Sequence, residues 1–164
     1  VDHGYHLGEH TLWFKNFLYR ESTQVPLIIA DPRLPTAHGT RCAALVENVD
    51  VYPTVMELLD LPMPHESEGV SLVDLMEGRV DRVRDAVFAQ CHGGITQPHN
   101  GRSIRTDAWT YNEWDNGAAG RELYNLHEDP GEHVNLLHDG AGHPMADELA
   151  ARLHAGWEDE LVSR

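Results

Sequence analysis

Apolar positions in this chain fall into short runs of changing period, and each change of period predicts an element. Residues 25–30, Val-Pro-Leu-Ile-Ile-Ala, are continuously apolar and rich in branched side chains. Bounded by Gln24 and Asp31-Pro32, they predict a buried strand of a parallel sheet. A Pro-, Gly- and Thr-rich loop follows over 31–40. Val51, Val55, Leu58 and Leu59 then recur at helical spacing. Asp50 is placed to cap that helix, and Pro53 sits in its first turn, where a missing N–H does no harm. Leu61-Pro62-Met63-Pro64 stops it, and residues 71–76 predict one more short helical piece closed by Gly78.

Beyond Arg84 the pattern shifts toward β structure. Residues 86–89 predict a strand, and a Gly-, His- and Pro-dense loop runs on to Gly101. Residues 102–106 and 109–114, joined at Asp107-Ala108, predict a hairpin, and residues 122–126 a further strand. Over 144–162 the period returns to that of a helix, with Leu149, Leu153, Trp157 and Leu161 on one apolar stripe. Tyr124 and Trp157 are expected as core aromatics. The element order places a boundary near residue 84. Residues 1–84 are expected to be the incomplete C-terminal part of an α/β domain, and residues 85–164 a small antiparallel subdomain with a closing helix.

Composition narrows the classes of function. A formal net charge of −15, with only 12 Lys and Arg in total, excludes a nucleic-acid partner, because phosphate binding needs clustered cations. No apolar run approaches the roughly 20 residues that span a bilayer, and no signal-peptide pattern is visible. Localisation is not set by the sequence. Cys42 and Cys91 lack metal-ligand spacing and are expected as buried free thiols. His38, His65, His99 and His138 fall in predicted loops and are expected at solvated surface. The chain begins at Val1-Asp2-His3-Gly4, inside a motif-like stretch, and is expected to be a fragment.

Chemistry concentrates at this opening, in Asp2-His3-Gly4-Tyr5-His6-Leu7-Gly8-Glu9-His10 followed by Trp13 and Lys15. An acid and an imidazole next to a glycine suit a loop at a strand end, where both side chains can meet one cation. A carboxylate favours a hard cation such as Ca²⁺ or Mg²⁺. Lys15 supplies a point charge for a tetrahedral oxyanion. A competing pattern is His6-Leu7-Gly8-Glu9-His10, which fits the H-x-x-E-H of inverse zinc peptidases. That chemistry needs a stable helix, and Gly8 inside it costs about 1 kcal/mol.

These residues, read with Thr23-Gln24-Val25-Pro26-Leu27-Ile28-Ile29, resemble the sulfatase family of the alkaline-phosphatase superfamily. Three later stretches agree: Val49-Asp50-Val51-Tyr52-Pro53-Thr54; Gly101 to Asp107 with Trp109 and Tyr111; and Glu122-Leu123-Tyr124-Asn125-Leu126 with Asp129-Pro130-Gly131-Glu132 and Asn135-Leu136. The resemblance implies an α/β fold, the C-terminal portion of an alkaline-phosphatase-like sandwich with a small antiparallel sheet and a C-terminal helix. It implies Asp2 and His3 as Ca²⁺ ligands (or Mg²⁺), and His3 and Lys15 as catalytic residues. Lys15 would bind sulfate, with His10 and His6 lining the substrate side. Glu9 and His10 are equally read as a loop brace, Arg102 and Arg105 as ion-pair residues, and the Asp129 turn as structural.

The implied partner is a sulfate-ester small molecule or saccharide, with no membrane. An oligomer, or pairing with the missing N-terminal part, is also expected. The family's nucleophile is a formylglycine made from Cys-x-Pro-Ser-Arg, and neither Cys42 nor Cys91 lies in that motif. The chain alone is therefore expected to be inactive, with the formylglycine in the part that would precede it. Alternatives of other classes are a phosphodiesterase or phosphonate monoester hydrolase of the same superfamily, and a non-catalytic binding module. The loop over 91–100 is the stretch expected to touch substrate.

Overall fold

A computed structural model describes residues 1–93, 98–140 and 142–156. In chain order these form β1 (His6–Leu7), β2 (Trp13–Phe14), α1 (Arg20–Thr23), α2 (Val51–Leu58), α3 (Val73–Met76), β3 (Val87–Cys91), β4 (Gly101–Arg105), β5 (Trp109–Trp114), β6 (Gly120–Asn125) and α4 (Pro144–Ala155). The class is mixed α/β, with a small antiparallel sheet and a C-terminal helix, as the sequence predicts. Two compact units divide the chain. One gathers Val1–Leu27 with the described residues from Phe88 onward, and the other is Ile28–Val87.

The first unit is built on a four-stranded sheet ordered β3-β4-β5-β6. Pairing of Ile104 with Tyr111, and of Tyr111 with Leu123, aligns three fully buried side chains on one face. Helix α4 packs on β4 and β5, burying Ala146, Leu149 and Leu153. Burial of such side chains is worth about 1.5–3 kcal/mol each. Trp157 and Leu161, the rest of the predicted stripe, lie outside the described residues. On the opposite face Leu18 from the opening segment packs against Cys91 and Trp114. The sheet is thus covered on both sides, which is why β5 buries Thr110, Asn112 and Glu113 as well as its apolar residues. Each buried polar group must then find a partner. Arg102 pairs with Glu113 and Arg105 with Glu132, both at 2.7 Å.

In the second unit, α2 begins where the sequence predicts, but Asp50 does not cap it. Its buried carboxylate instead accepts from the N–H of Glu47 at 2.8 Å and of Val70 at 2.9 Å, and it pairs with Arg84. Thr54 completes this anchor, donating to the Asp50 carbonyl and accepting from the N–H of Leu72. Closing the loop over α2 outweighs the local cap.

Two expectations are corrected. Residues 25–30 join no sheet among the described residues, and Ile28 is 88% exposed. A parallel strand is held by neighbours on both sides, and the described strands belong to the hairpin β1–β2 and the β3–β6 sheet. Cys91 is a buried free thiol as expected, whereas Cys42 is exposed. Among the described residues, no helix is long and apolar enough to cross a membrane.

Candidate functional site

The opening segment folds into a miniature hairpin. His6 pairs with Phe14 and Leu7 with Trp13, and residues 8–12 make the turn. Glu9–Thr11 form a single 3₁₀ turn in which His10 has a left-handed φ of 53°. The helix demanded by the zinc-peptidase pattern does not form, because Gly8 and the short connection favour a tight turn over 3.6-residue periodicity. The hairpin is held to α1 by the Gly4 N–H, which donates to the Ser22 carbonyl at 2.8 Å. The approach is so close that a Cβ on Gly4 would lie 1.8 Å from the Glu21 carbonyl oxygen.

Beside this contact, Asp2, His3 and Lys15 converge. The Lys15 ammonium donates to His3 Nε2 at 2.9 Å, and Asp2 Oδ2 stands 3.6 Å from the same nitrogen. His3 Nδ1 donates to the Gly4 carbonyl at 2.8 Å. The Asp2 carboxyl is held below its usual range, first by a hydrogen bond with its own backbone and then by the field of His3. Its side chain is 87% exposed. Lys15 is flanked by Phe14 with φ 78° and Asn16 with φ 76°. A bulky residue at positive φ is a real outlier, and such strain gathers where the chain must hold one side chain in place.

His6 and His10 face the other way. His6 is fully buried, its Nδ1 3.1 Å from the Ser22 hydroxyl and its ring edge-on to Phe17. Burial lowers its pKa, against the opposing pull of Glu21. His10 stacks on Tyr19 at 4.2 Å and on His133 at 5.2 Å between ring centroids. Both Nε2 atoms approach Glu21 Oε2, at 3.8 and 3.4 Å, beyond good hydrogen-bond length. Glu9 braces the turn by accepting the Leu7 N–H at 2.7 Å. Asp2, His3 and Lys15 therefore form one open cluster, and His6 and His10 a second, closed one around Glu21.

Glu132 ties the segment to the sheet. Its carboxylate accepts from the Arg20 N–H, Arg105 Nη1 and Thr110 Oγ1 at 2.8, 2.7 and 2.7 Å. Nearby, Tyr19 donates to Glu122 at 2.9 Å, and burial with that carboxylate pushes its hydroxyl pKa upward. Sequence reasoning singled out neither Glu21 nor this role of Glu132. Glu132 is 112 positions from Arg20, and no local spacing announces such a pairing.

Residues 8–159 match the family described as N-sulphoglucosamine sulphohydrolase, C-terminal. A protein named sulfatase, from Formosa agariphila, is 30% identical over 162 residues, covering 97% of this chain and 30% of that protein. The Delta 4,5-hexuronate-2-O-sulfatase of Bacteroides thetaiotaomicron is 29% identical over 170 residues, covering 100% of this chain and 34% of that protein. A solved structure of a protein in complex with its substrate D-glucosamine-2-N,6-O-disulfate superposes with a TM-score of 0.81 at 26% identity. It covers 93% of this chain and 32% of the other. The chain thus spans about a third of the length of these relatives. With the family match running over residues 8–159, most of its length, the chain belongs to the sulfatase family, in the group described as N-sulphoglucosamine sulphohydrolase, C-terminal.

Proposed function

We propose that this chain is the C-terminal part of a sulfatase acting on sulfate esters of saccharides, and that its contribution is the Asp2–His3–Lys15 cluster. The observation that carries this reading is the meeting of Lys15 Nζ, His3 Nε2 and Asp2 Oδ2 at 2.9 and 3.6 Å. Lys15 offers N–H donors to a sulfate oxygen and, as the ester bond breaks, to the charge growing on the departing oxygen. The saccharide assignment is supported by two relatives, a hexuronate-2-O-sulfatase and the protein holding a glucosamine disulfate.

The residues fit part of a calcium shell. Asp2 Oδ2 and His3 Nε2 lie 3.6 Å apart, and the Asp2 side chain is 87% exposed. A calcium ion takes six to eight ligands. Among the described residues no group of three or more His, Cys, Asp and Glu is placed to hold a metal, so Asp2 and His3 would need ligands from outside these residues to complete a shell. A bound cation would polarise a sulfate oxygen as a Lewis acid. The formylglycine does not fit this chain: neither Cys42-Ala43 nor Cys91-His92 matches the motif that is converted. No nucleophilic step is assigned to these residues.

The test is titration of the chain with inorganic sulfate, followed by calorimetry. Binding weakened at least tenfold in Lys15→Ala is the expected result, together with no turnover of an aryl sulfate by the chain alone. Unchanged sulfate binding in Lys15→Ala overturns the reading. Preference for an aryl phosphodiester in a longer protein that carries this segment would reassign it to phosphodiester hydrolysis.

A further inference from the structure

His6 is a fully buried imidazole at the foot of the opening hairpin. Its Nδ1 lies 3.1 Å from the Ser22 hydroxyl, which can donate or accept and so suits the neutral ring. Among the described residues Nε2 has no hydrogen-bond partner, and the same holds for His10 Nε2 and Glu21 Oε2. Both nitrogens approach that one carboxylate oxygen, at 3.8 and 3.4 Å, beyond good hydrogen-bond length. Pressing the hairpin further onto α1 does not close the gap, because a Cβ on Gly4 would already lie 1.8 Å from the Glu21 carbonyl oxygen.

We infer that His6 is an acid-sensitive lock on the opening hairpin: the neutral ring seats β1 and β2 against α1, and a proton on it unseats them. A protonated ring has two donors and no lone pair. Ser22 can accept from one of them, but the other becomes a buried cationic donor short of an acceptor, a costly state. The groups around it do not offset that charge. Glu21 is the nearest acid, and Glu9 in the turn is exposed and already accepts the Leu7 N–H. His10 stands edge-on at 6.0 Å and adds charge of the same sign when protonated. Tyr19, at 6.1 Å, keeps its proton, because burial beside Glu122 pushes its hydroxyl upward. Beyond His10 lie His133 and Asp129. Burial therefore holds the His6 pKa below the ordinary 6.5, against the pull of Glu21, the Phe14 backbone and Glu9. A histidine depressed in this way contributes stability that is present above about pH 6.5 and is lost as pH falls through the lower folded value. The lock reaches Lys15 through β2, since His6 pairs with Phe14, the residue before it. The inference goes beyond the sulfatase reading and stands whether or not Lys15 binds sulfate.

Native-state hydrogen exchange of the Gly4 amide, which bonds the Ser22 carbonyl at 2.8 Å, reads the seat directly. Corrected for intrinsic exchange, its opening is expected to rise about fivefold to tenfold between about pH 7.5 and about pH 5.5, since a proton taken up only in the open state shifts that equilibrium up to tenfold per pH unit. The Thr106 amide, bonded to the Trp109 carbonyl at 2.8 Å in the sheet, is expected to keep its protection. His6→Asn retains a polar partner for Ser22 without a titratable ring, and is expected to give Gly4 one opening rate across this range. His6→Phe keeps the ring volume and is expected to behave in the same way. In the parent chain, labelled with carbon-13 at histidine Cε1, the His6 signal is expected to titrate below 6.5 in step with Gly4 exchange, a measurement that needs no variant to fold. A Gly4 amide indifferent to pH overturns the inference, as does a His6 ring titrating at or above 6.5. An acid response that survives in folded His6→Asn or His6→Phe overturns it too.

Discussion

Glu132 and Asp2 are both carboxylates beside a cationic side chain in the same compact unit, yet they are handled in opposite ways. Glu132 is 1% exposed and fills its oxygens with three short hydrogen bonds, from Arg20, Arg105 and Thr110. Asp2 is largely exposed to solvent, and the nearest ring nitrogen, His3 Nε2, lies 3.6 Å away. Buried charge that is fully bonded contributes rigidity and has nothing left to offer a ligand. Charge held at the surface contributes little stability and stays within reach of solvent. The cluster around Glu21 is intermediate, buried like the first yet incompletely bonded at the Nε2 atoms of His6 and His10.

The contrast is sharpest under mutation. Glu132→Ala strips Arg105 of its partner and the Arg20 N–H of its acceptor, and is expected to cost about 3–5 kcal/mol. Urea denaturation followed by circular dichroism measures it, and a loss below about 1 kcal/mol would erase the distinction between the two carboxylates. A smaller effect is expected at Glu113. Burial alone would raise its carboxyl, but hydrogen bonds from His154 and Arg102 hold it below the ordinary 4.5. A depressed carboxyl contributes stability that is present above about pH 4.5 and is lost as pH falls through the lower folded value. Glu113→Gln should therefore remove about 1–3 kcal/mol at neutral pH and flatten the decline of stability between pH 5 and the acid limit. A variant with the parent's pH profile would show that the carboxylate is not ionised in the fold. Lys15→Ala is expected to change stability by less than about 0.5 kcal/mol. A large change in its urea midpoint would place Lys15 with Glu132 as a structural residue.

Which features were legible in the sequence follows the same division. The hairpin β4–β5, strand β6 and helix α4 are legible because alternation and helical period are local, and local pattern agrees with the packing that results. The Asp2, His3 and Lys15 grouping is legible only through the order of motifs in a resemblance, since spacing alone does not bring position 15 back to position 3. The cap at Asp50 misleads because a buried Arg84, 34 positions away, competes for its carboxylate. Residues 25–30 mislead because an apolar run states a need for sheet neighbours without supplying them. Glu21 leaves no mark, since its partners His6 and His10 are brought to it by a hairpin turn that begins at Gly8.

At position 4 the two backbones touch with no room for even a methyl group. No side chain fits there, whereas at position 3 an imidazole projects partly into solvent. Any side chain at 4 would wedge the stretch bearing Asp2 and His3 away from the stretch bearing Glu21 and Ser22, disturbing both histidine clusters at once. Gly4 thus holds the opening segment in place through the side chain it lacks, and it carries no functional group at all.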